Sequence, residues 1–231
     1  MEAYVGFVAF VAQDFDEFLV PFQSKEPMIH LLYPAMLSLL NKLQRKFIRK
    51  AKLSDDHSDN IYLDCTKDAN IKPLRLIDVG TKAKTILSQE SDIIPDEQQD
   101  GFRENCVKFY KTDVGYLQKK LSLDIPMLKH AQYINPLKRN VSGATSAISN
   151  LALKFATVLE NMLGEVFGMT GKEAVVDKVR SQWILFQKEL KEEWFQKTTE
   201  DDNQPSSSRK QDSYWARAFD ECGLDSPASS T

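Results

Sequence analysis

Apolar residues recur three and four positions apart along most of this chain, which is the spacing of amphipathic helices. The first predicted helix covers residues 2–22, and the second covers residues 27–49. Pro34 lies inside the second run, and a proline there removes one backbone hydrogen bond. We therefore expect a kink or a split after Tyr33.

The later part of the chain shows the same periodicity. A third helix starts with Asp96 or Asp100 as its N-cap and ends near Leu121. Pro126 opens a shorter helix, and a fourth helical region covers residues 142–163. The pattern predicts an all-α fold, an irregular helical bundle.

The fifth helix has a clear start signal. Thr170 is followed three positions later by Glu173, which is the spacing of a capping box. This helix extends to about Gln196 and carries Trp183 on its apolar face. We expect Trp183 to lie in the core.

Residues 50–99 read as a weakly ordered connection between the second and third long helices. Two pieces, 61–65 and 74–79, have the composition of short extended segments, and residues 81–88 that of a short helix. A connection of this length is unusual within a compact domain. It is either a functional loop or a partly disordered one.

The C-terminal part changes character after the fifth helix. Residues 198–211 are polar and contain a serine run, which predicts a disordered linker after a helical domain of residues 1–197. Within the short tail of residues 212–231, we expect residues 212–222 to form a short helical turn at most. It carries three aromatic residues that need a surface to pack on, Tyr214, Trp215 and Phe219.

Composition narrows the function classes. The net charge is −3 and the pI is about 5.7, so the chain lacks the global basic signature of a nucleic-acid-binding protein. Its three cysteines, Cys65, Cys106 and Cys222, have no zinc-site spacing and favour a reducing intracellular compartment. No run approaches the roughly 18 consecutive apolar residues of a membrane helix, so no membrane partner is expected.

One local cluster of charge stands out at the end of the second predicted helix. It consists of Lys42, Arg45, Lys46, Arg49, Lys50 and Lys52. These residues either contact phosphates of a nucleic acid or form a solvated helix end that suits the helix dipole. In the second reading they are countered by Asp55, Asp56 and Asp59.

The residues that carry most enzyme chemistry are scattered. His30, His57 and His130 are isolated in sequence, and no nucleophile lies beside a base. No buried strand offers a carboxylate for a two-metal nuclease centre. The sequence therefore predicts no catalytic residue, no metal site, no cofactor and no enzymatic activity.

Several short strings occur in an order and spacing that is similar to one known family. They are Phe18-Leu19, Phe22-Gln23-Ser24-Lys25-Glu26-Pro27, Ile29-His30-Leu31-Leu32-Tyr33, Lys46-Phe47-Ile48-Arg49, Ile77-Asp78-Val79-Gly80, Phe102-Arg103, Phe109-Tyr110, residues 117–121, Pro126-Met127-Leu128-Lys129, Asn135-Pro136-Leu137 and Asp212-Ser213-Tyr214-Trp215. With these strings, residues 7–215 resemble the hAT superfamily of transposase-derived proteins.

The resemblance covers only the middle-to-late helical region of that family. A complete member has a BED-type zinc finger, an RNase H-like catalytic fold with a helical insertion, and a C-terminal dimerisation segment. This chain lacks the finger, the catalytic strands and the dimerisation segment, and Gln182 stands before Trp183 where many members carry Glu. No catalytic residue can be carried over.

The resemblance implies a non-catalytic fragment that acts as a scaffold or in weak contact with DNA or protein, with the nucleus as a location. The specific partner stays unknown. The alternative is a free-standing helical protein-interaction adaptor that is unrelated to transposition.

Overall fold

The computed structural model describes residues 2–23, 28–89, 94–163 and 171–189, and these residues form an all-α structure, as predicted. Across these ranges the α-helices are α1 (Glu2–Leu19), α2 (Ile29–Phe47), α3 (Thr81–Gln89), α4 (Asp96–Lys120), α5 (Pro126–Ala131), α6 (Ala144–Leu163) and α7 (Gly171–Glu189). The extended structure found there is an isolated antiparallel bridge between Ile48 and Ile71.

The helices lie where the apolar periodicity predicts them, and the remaining details concern one proline and the first residues of two helices. α2 continues through Pro34, so the predicted split does not occur, and the kink predicted as its alternative stays a prediction. α4 begins at Asp96 and follows Pro95, which stands at the N-cap position in place of the predicted aspartate. The N-cap residue predicted for α7, Thr170, lies outside the described residues.

The connection between α2 and α3 differs from the prediction. The extended pieces predicted at 61–65 and 74–79 are wrong, because short 3₁₀ turns occupy Asp59–Tyr62 and Leu74–Leu76. Further 3₁₀ turns cover Lys50–Lys52 and Asp68–Asn70. The turns bury apolar side chains at intervals, namely Ile61, Cys65, Ile71, Ile77 and Val79. This burial gives the segment its order without regular secondary structure.

Buried amides hold the first turns of this connection on α2. Gln44 Nε2 donates to the carbonyl of Asn60 at 2.9 Å, and Asn60 Nδ2 donates to Asn41 Oδ1 at 2.7 Å. Asn41 Nδ2 in turn donates to the carbonyl of His57 at 3.1 Å. Because these hydrogen bonds give each of the three buried NH₂ groups an acceptor, the loop is anchored at a defined position beside the helix.

The chain divides into two compact units. The first comprises Met1–Gln23 and Leu32–Ile125. Phe47 and Tyr110 stack in its core with ring centroids 5.4 Å apart, and Phe7 of α1 meets Tyr110 edge-on at 5.3 Å. Such aromatic pairs add to the stability that burial alone provides. They join α1, α2 and α4.

The second unit comprises Ser24–Leu31 and Pro126–Thr231. Its described core consists of Ala144, Ile148, Leu151, Trp183 and Phe186. Trp183 is 7% exposed, which confirms its predicted place in the core. Thr145 bonds to Gln187 and Glu160 pairs with Lys172, so α6 and α7 run antiparallel.

Candidate nucleic-acid interface

The six basic residues predicted as a phosphate-contacting patch do not share one environment. Lys42 and Lys46 turn towards α1, where Asp14 is buried. Lys42 Nζ lies 2.9 Å from Asp14 Oδ1 and 2.6 Å from Glu17 Oε2. These two lysines are neutralised by carboxylates that lie far away in sequence.

Lys46 is a structural residue. It is 6% exposed, and its ammonium group forms an ion pair with Asp14 Oδ2. The same Nζ lies 3.4 Å from the centroid of the Phe10 ring, which is within the range of a cation–π interaction. A buried and paired cation of this kind is not available to a phosphate in solvent.

The pKa shifts around Lys42 agree with this assignment. The hydrogen bond to Glu17 and then the one to Asp14 raise the pKa of Lys42 above its ordinary value. The same bond to Lys42 lowers the pKa of Glu17. The cleft beside them has a volume of about 350 Å³. Its charged lining residues are both lysines and Arg45 on one side of the balance, and Asp14, Glu17 and Asp78 on the other. Opposite charges therefore balance in this cleft.

Arg49 helps to close the end of α2. Its Nε donates to the carbonyl of Ile71 at 2.7 Å, and its backbone N–H donates to the carbonyl of Asn70 at 2.8 Å. The side chain remains partly accessible, as do those of Lys50 and Lys52 in the turn that follows.

Lys72 was not among the predicted site residues, yet it lies at the centre of this region. Its Nζ donates to the carbonyl of Arg45 at 2.7 Å, and its backbone N–H donates to the carbonyl of Phe47 at 2.8 Å. Both carbonyls belong to the last turn of α2, where no intrahelical partner exists. Lys72 therefore caps the helix, and no local sequence pattern identifies it because the two segments meet only in the fold.

Arg45, Lys50 and Lys72 line a groove of about 710 Å³ with Ile48, Leu53 and Asp55, and we call it the basic groove. Arg45 Nη2 lies 3.0 Å from His57 Nε2. Since a guanidinium group can only donate, the imidazole nitrogen accepts this bond. Burial lowers the pKa of Lys72.

Two of the three acidic residues that were predicted to counter the basic run accept hydrogen bonds from nearby serines. Ser54 Oγ donates to Asp59 Oδ2 at 2.9 Å, and Ser58 donates to Asp56 Oδ1 at 2.7 Å through its hydroxyl. Asp55 lines the basic groove. Of these three carboxylates, Asp55 is therefore the one that lines the groove together with its cations.

The remaining features that would bear on function are metal sites, reactive thiols and membrane-spanning helices. Within the described ranges no group of three or more His, Cys, Asp or Glu side chains is arranged to hold a metal ion. Burial raises the pKa of Cys65 to about 11 and that of Cys106 to about 12, so both thiols stay protonated at neutral pH. None of the helices in the described part of the chain combines the length and the apolar character needed to cross a bilayer.

The predicted interaction tail, Tyr214, Trp215 and Phe219, lies outside the described residues, as does the predicted linker 198–211. Comparison with protein-family models, with curated proteins and with solved structures found no match to this chain.

Proposed function

We propose that this chain is a non-catalytic helical binding module that contacts nucleic-acid phosphates through its basic groove. The observation that carries the proposal is the convergence of Arg45, Lys50 and Lys72 on one groove. These residues come from a helix end, a 3₁₀ turn and a distant loop. Arginine and lysine are the side chains that proteins use to contact phosphate oxygens.

The expected binding is weak and independent of base sequence. The net charge of −3 repels a polyanion at long range, and the carboxylate of Asp55 offsets part of the local positive charge. Three phosphate contacts on duplex DNA correspond to a slope of roughly −2.7 in a plot of log affinity against log salt. Binding should therefore be measurable only at low ionic strength.

The origin of the module is part of the same proposal. The order of the sequence strings described above supports a fragment of a hAT transposase-like protein, in which this helical region would support a larger catalytic fold. Genomic context tests this origin. Neighbouring coding sequence for the catalytic strands and the dimerisation segment of that family is the expected finding, and its absence from several related loci would count against this origin.

Fluorescence anisotropy tests the groove. A labelled duplex of random sequence is titrated with the parent chain and with an Arg45→Gln/Lys50→Gln variant at several salt concentrations. The matched control is Lys119→Gln/Lys120→Gln, which removes the same charge from the exposed end of α4. We expect affinity to fall at least about tenfold in the groove variant and less than about twofold in the control.

Two results would reject the nucleic-acid proposal. One is an equal loss of affinity in both double variants, which would show that only net charge matters. The other is salt-independent binding. Divalent-metal-dependent cleavage of the duplex by the parent chain, abolished by a single Asp or Glu substitution, would reject the non-catalytic part.

A specific feature favours the alternative function, a protein-interaction adaptor. The second half of α6 exposes apolar side chains, including Phe155 and Met162. Contiguous apolar surface is typical of binding sites for other polypeptide segments. The parent chain would then bind no nucleic acid even at low salt, and substitutions in the basic groove would have no effect on its partner.

A further inference from the structure

The apolar stripe of α6 is covered along only half of its length. Ala144, Ile148 and Leu151 form the first half and are buried in the core of the second unit. Four apolar residues continue the stripe at the same helical spacing, namely Phe155, Val158, Leu159 and Met162. All four are exposed, and Met162 is 74% exposed.

Helix α7 does not cover this second half, although it runs beside it. Lys172 at the start of α7 bonds to Glu160 at 3.1 Å, which places the two helix ends side by side. Val175, Val176 and Val179 of α7 are only partly buried. Helix α6 therefore presents an open apolar surface that we call the α6 face, defined by Phe155, Val158, Leu159 and Met162.

We propose that residues 212–222 of the same chain dock on the α6 face. A helical turn in this segment would place Tyr214 and Ala218, and likewise Trp215 and Phe219, on one side. Arg217 and Asp220 would then lie on the other side. Two aromatic side chains can cover about 150–250 Å² each, which suits a patch of four aliphatic and aromatic residues.

The length of the chain allows this docking. Phe186 near the end of α7 packs against the start of α6, and the centre of the α6 face lies about 17 Å farther along that helix. Residues 198–211 span up to about 45 Å when extended. The chain before residue 212 is therefore long enough to reach the α6 face.

Surface area favours a segment of the same chain over a second copy. A stable interface between two separate chains needs about 800 Å² from each partner. Four side chains over two helical turns supply much less than this. A tethered segment needs less area because the linker holds it at an effective concentration in the millimolar range. This inference does not depend on the basic groove, which lies in the other unit.

Hydrogen exchange on the full chain tests the docking. Deuterium uptake of residues 152–163 is compared between the parent chain and a Trp215→Ser/Phe219→Ser variant. The matched control, Arg217→Ser/Asp220→Ser, changes the polar side of the same segment. We expect exchange at residues 152–163 to accelerate at least about fivefold in the aromatic variant and to stay unchanged in the control variant. Exchange at the core residues 183–187 should be the same in all three chains. Equal uptake in all three chains would overturn the proposal.

A second measurement changes the α6 face and follows the docking segment through its cysteine. Cys222 lies in the docking segment, whereas burial raises the pKa of Cys65 and Cys106 and keeps them unreactive. Labelling of Cys222 by a thiol reagent should become faster in a Phe155→Asp/Met162→Asp variant. An unchanged labelling rate would contradict the docking. Protection that rises with protein concentration, together with a dimer on sizing, would assign the α6 face to a second copy instead.

Discussion

Asp14 of α1 and Lys46 of α2 form an ion pair that is buried from solvent, at 4% and 6% exposure. The ring of Phe10 lies against the lysine ammonium, and Lys42 provides a second cation for the aspartate. A buried charge without a partner is costly, so each member of the pair requires the other. The pair therefore links α1 to α2 inside the first unit.

Removing one charge of this pair should destabilise the protein strongly. Asp14→Ala leaves the Lys46 ammonium buried without its carboxylate, and we expect a loss of about 3–5 kcal/mol in the free energy of unfolding. Urea denaturation monitored by circular dichroism measures this loss. The double variant Asp14→Leu/Lys46→Met should recover most of it, because apolar residues of similar volume replace both charges. If the double variant is no more stable than Asp14→Ala, the cost does not come from the unpaired charge.

Gly80 should not tolerate a side chain. Its φ is +82°, and a Cβ atom there would lie 2.6 Å from Cγ of Phe10, which cannot move away because it is held near the backbone of α1. Gly80→Ala should therefore cost about 2–4 kcal/mol in the free energy of unfolding. Gly101→Ala in α4 is the matched control, because a Cβ atom there meets open space. Thermal unfolding should show the control unchanged or more stable, and equal losses would contradict this explanation.

Asp78 should contribute to the acid stability of the first unit. Burial tends to raise its pKa, but hydrogen bonds from Lys84 Nζ at 2.7 Å and from the Gly80 N–H outweigh burial and lower it. A carboxyl group with a lowered folded pKa stabilises the protein above its unfolded pKa of about 4. This contribution is lost as the pH falls through the folded pKa.

Lys84→Gln tests this dependence on pH. Without the lysine, burial should dominate, the pKa of Asp78 should rise, and acid unfolding should begin at a higher pH. NMR titration of the Asp78 carboxyl carbon follows the pKa, and circular dichroism follows unfolding. Lys82→Gln is the control, because this exposed lysine is in the same helix. Identical titration curves in all three chains would show that Lys84 does not set the pKa.

Trp183 should be among the least replaceable residues of the second unit. It packs on Phe186 with ring centroids 5.1 Å apart, and Trp183→Ala should cost about 3–5 kcal/mol in the free energy of unfolding. Its indole N–H is buried and has no hydrogen-bond partner within the described residues. Trp183→Phe should therefore cost clearly less, because it also removes that unpaired donor. Urea unfolding of both variants is the measurement, and an alanine variant as stable as the parent would refute the core assignment.

The periodicity of apolar residues was sufficient to predict the helices. α6 and α4 have nearly the expected bounds, and the burial of Trp183 follows from its place on the apolar face of its helix. Helical spacing is a local property, because side chains three and four positions apart meet on one face whatever the rest of the fold does. The extended segment predicted at residues 61–65 was wrong because its structure is not set locally. Burial of separate side chains against the rest of the unit, not strand pairing, orders the turns there.

Tertiary structure determined which of the basic residues are buried and which remain accessible to solvent. In the sequence, Lys46 and Arg45 are neighbours in one basic run. In the fold, Lys46 is buried against Asp14, whereas Arg45 lines a groove with Lys72. Electrostatic energy depends on distances and on solvent exposure, and neither is encoded in the local order of residues. The sequence by itself therefore determined that this end of α2 is cationic, and only the packing of α1 and residues 70–78 determined which cations face solvent.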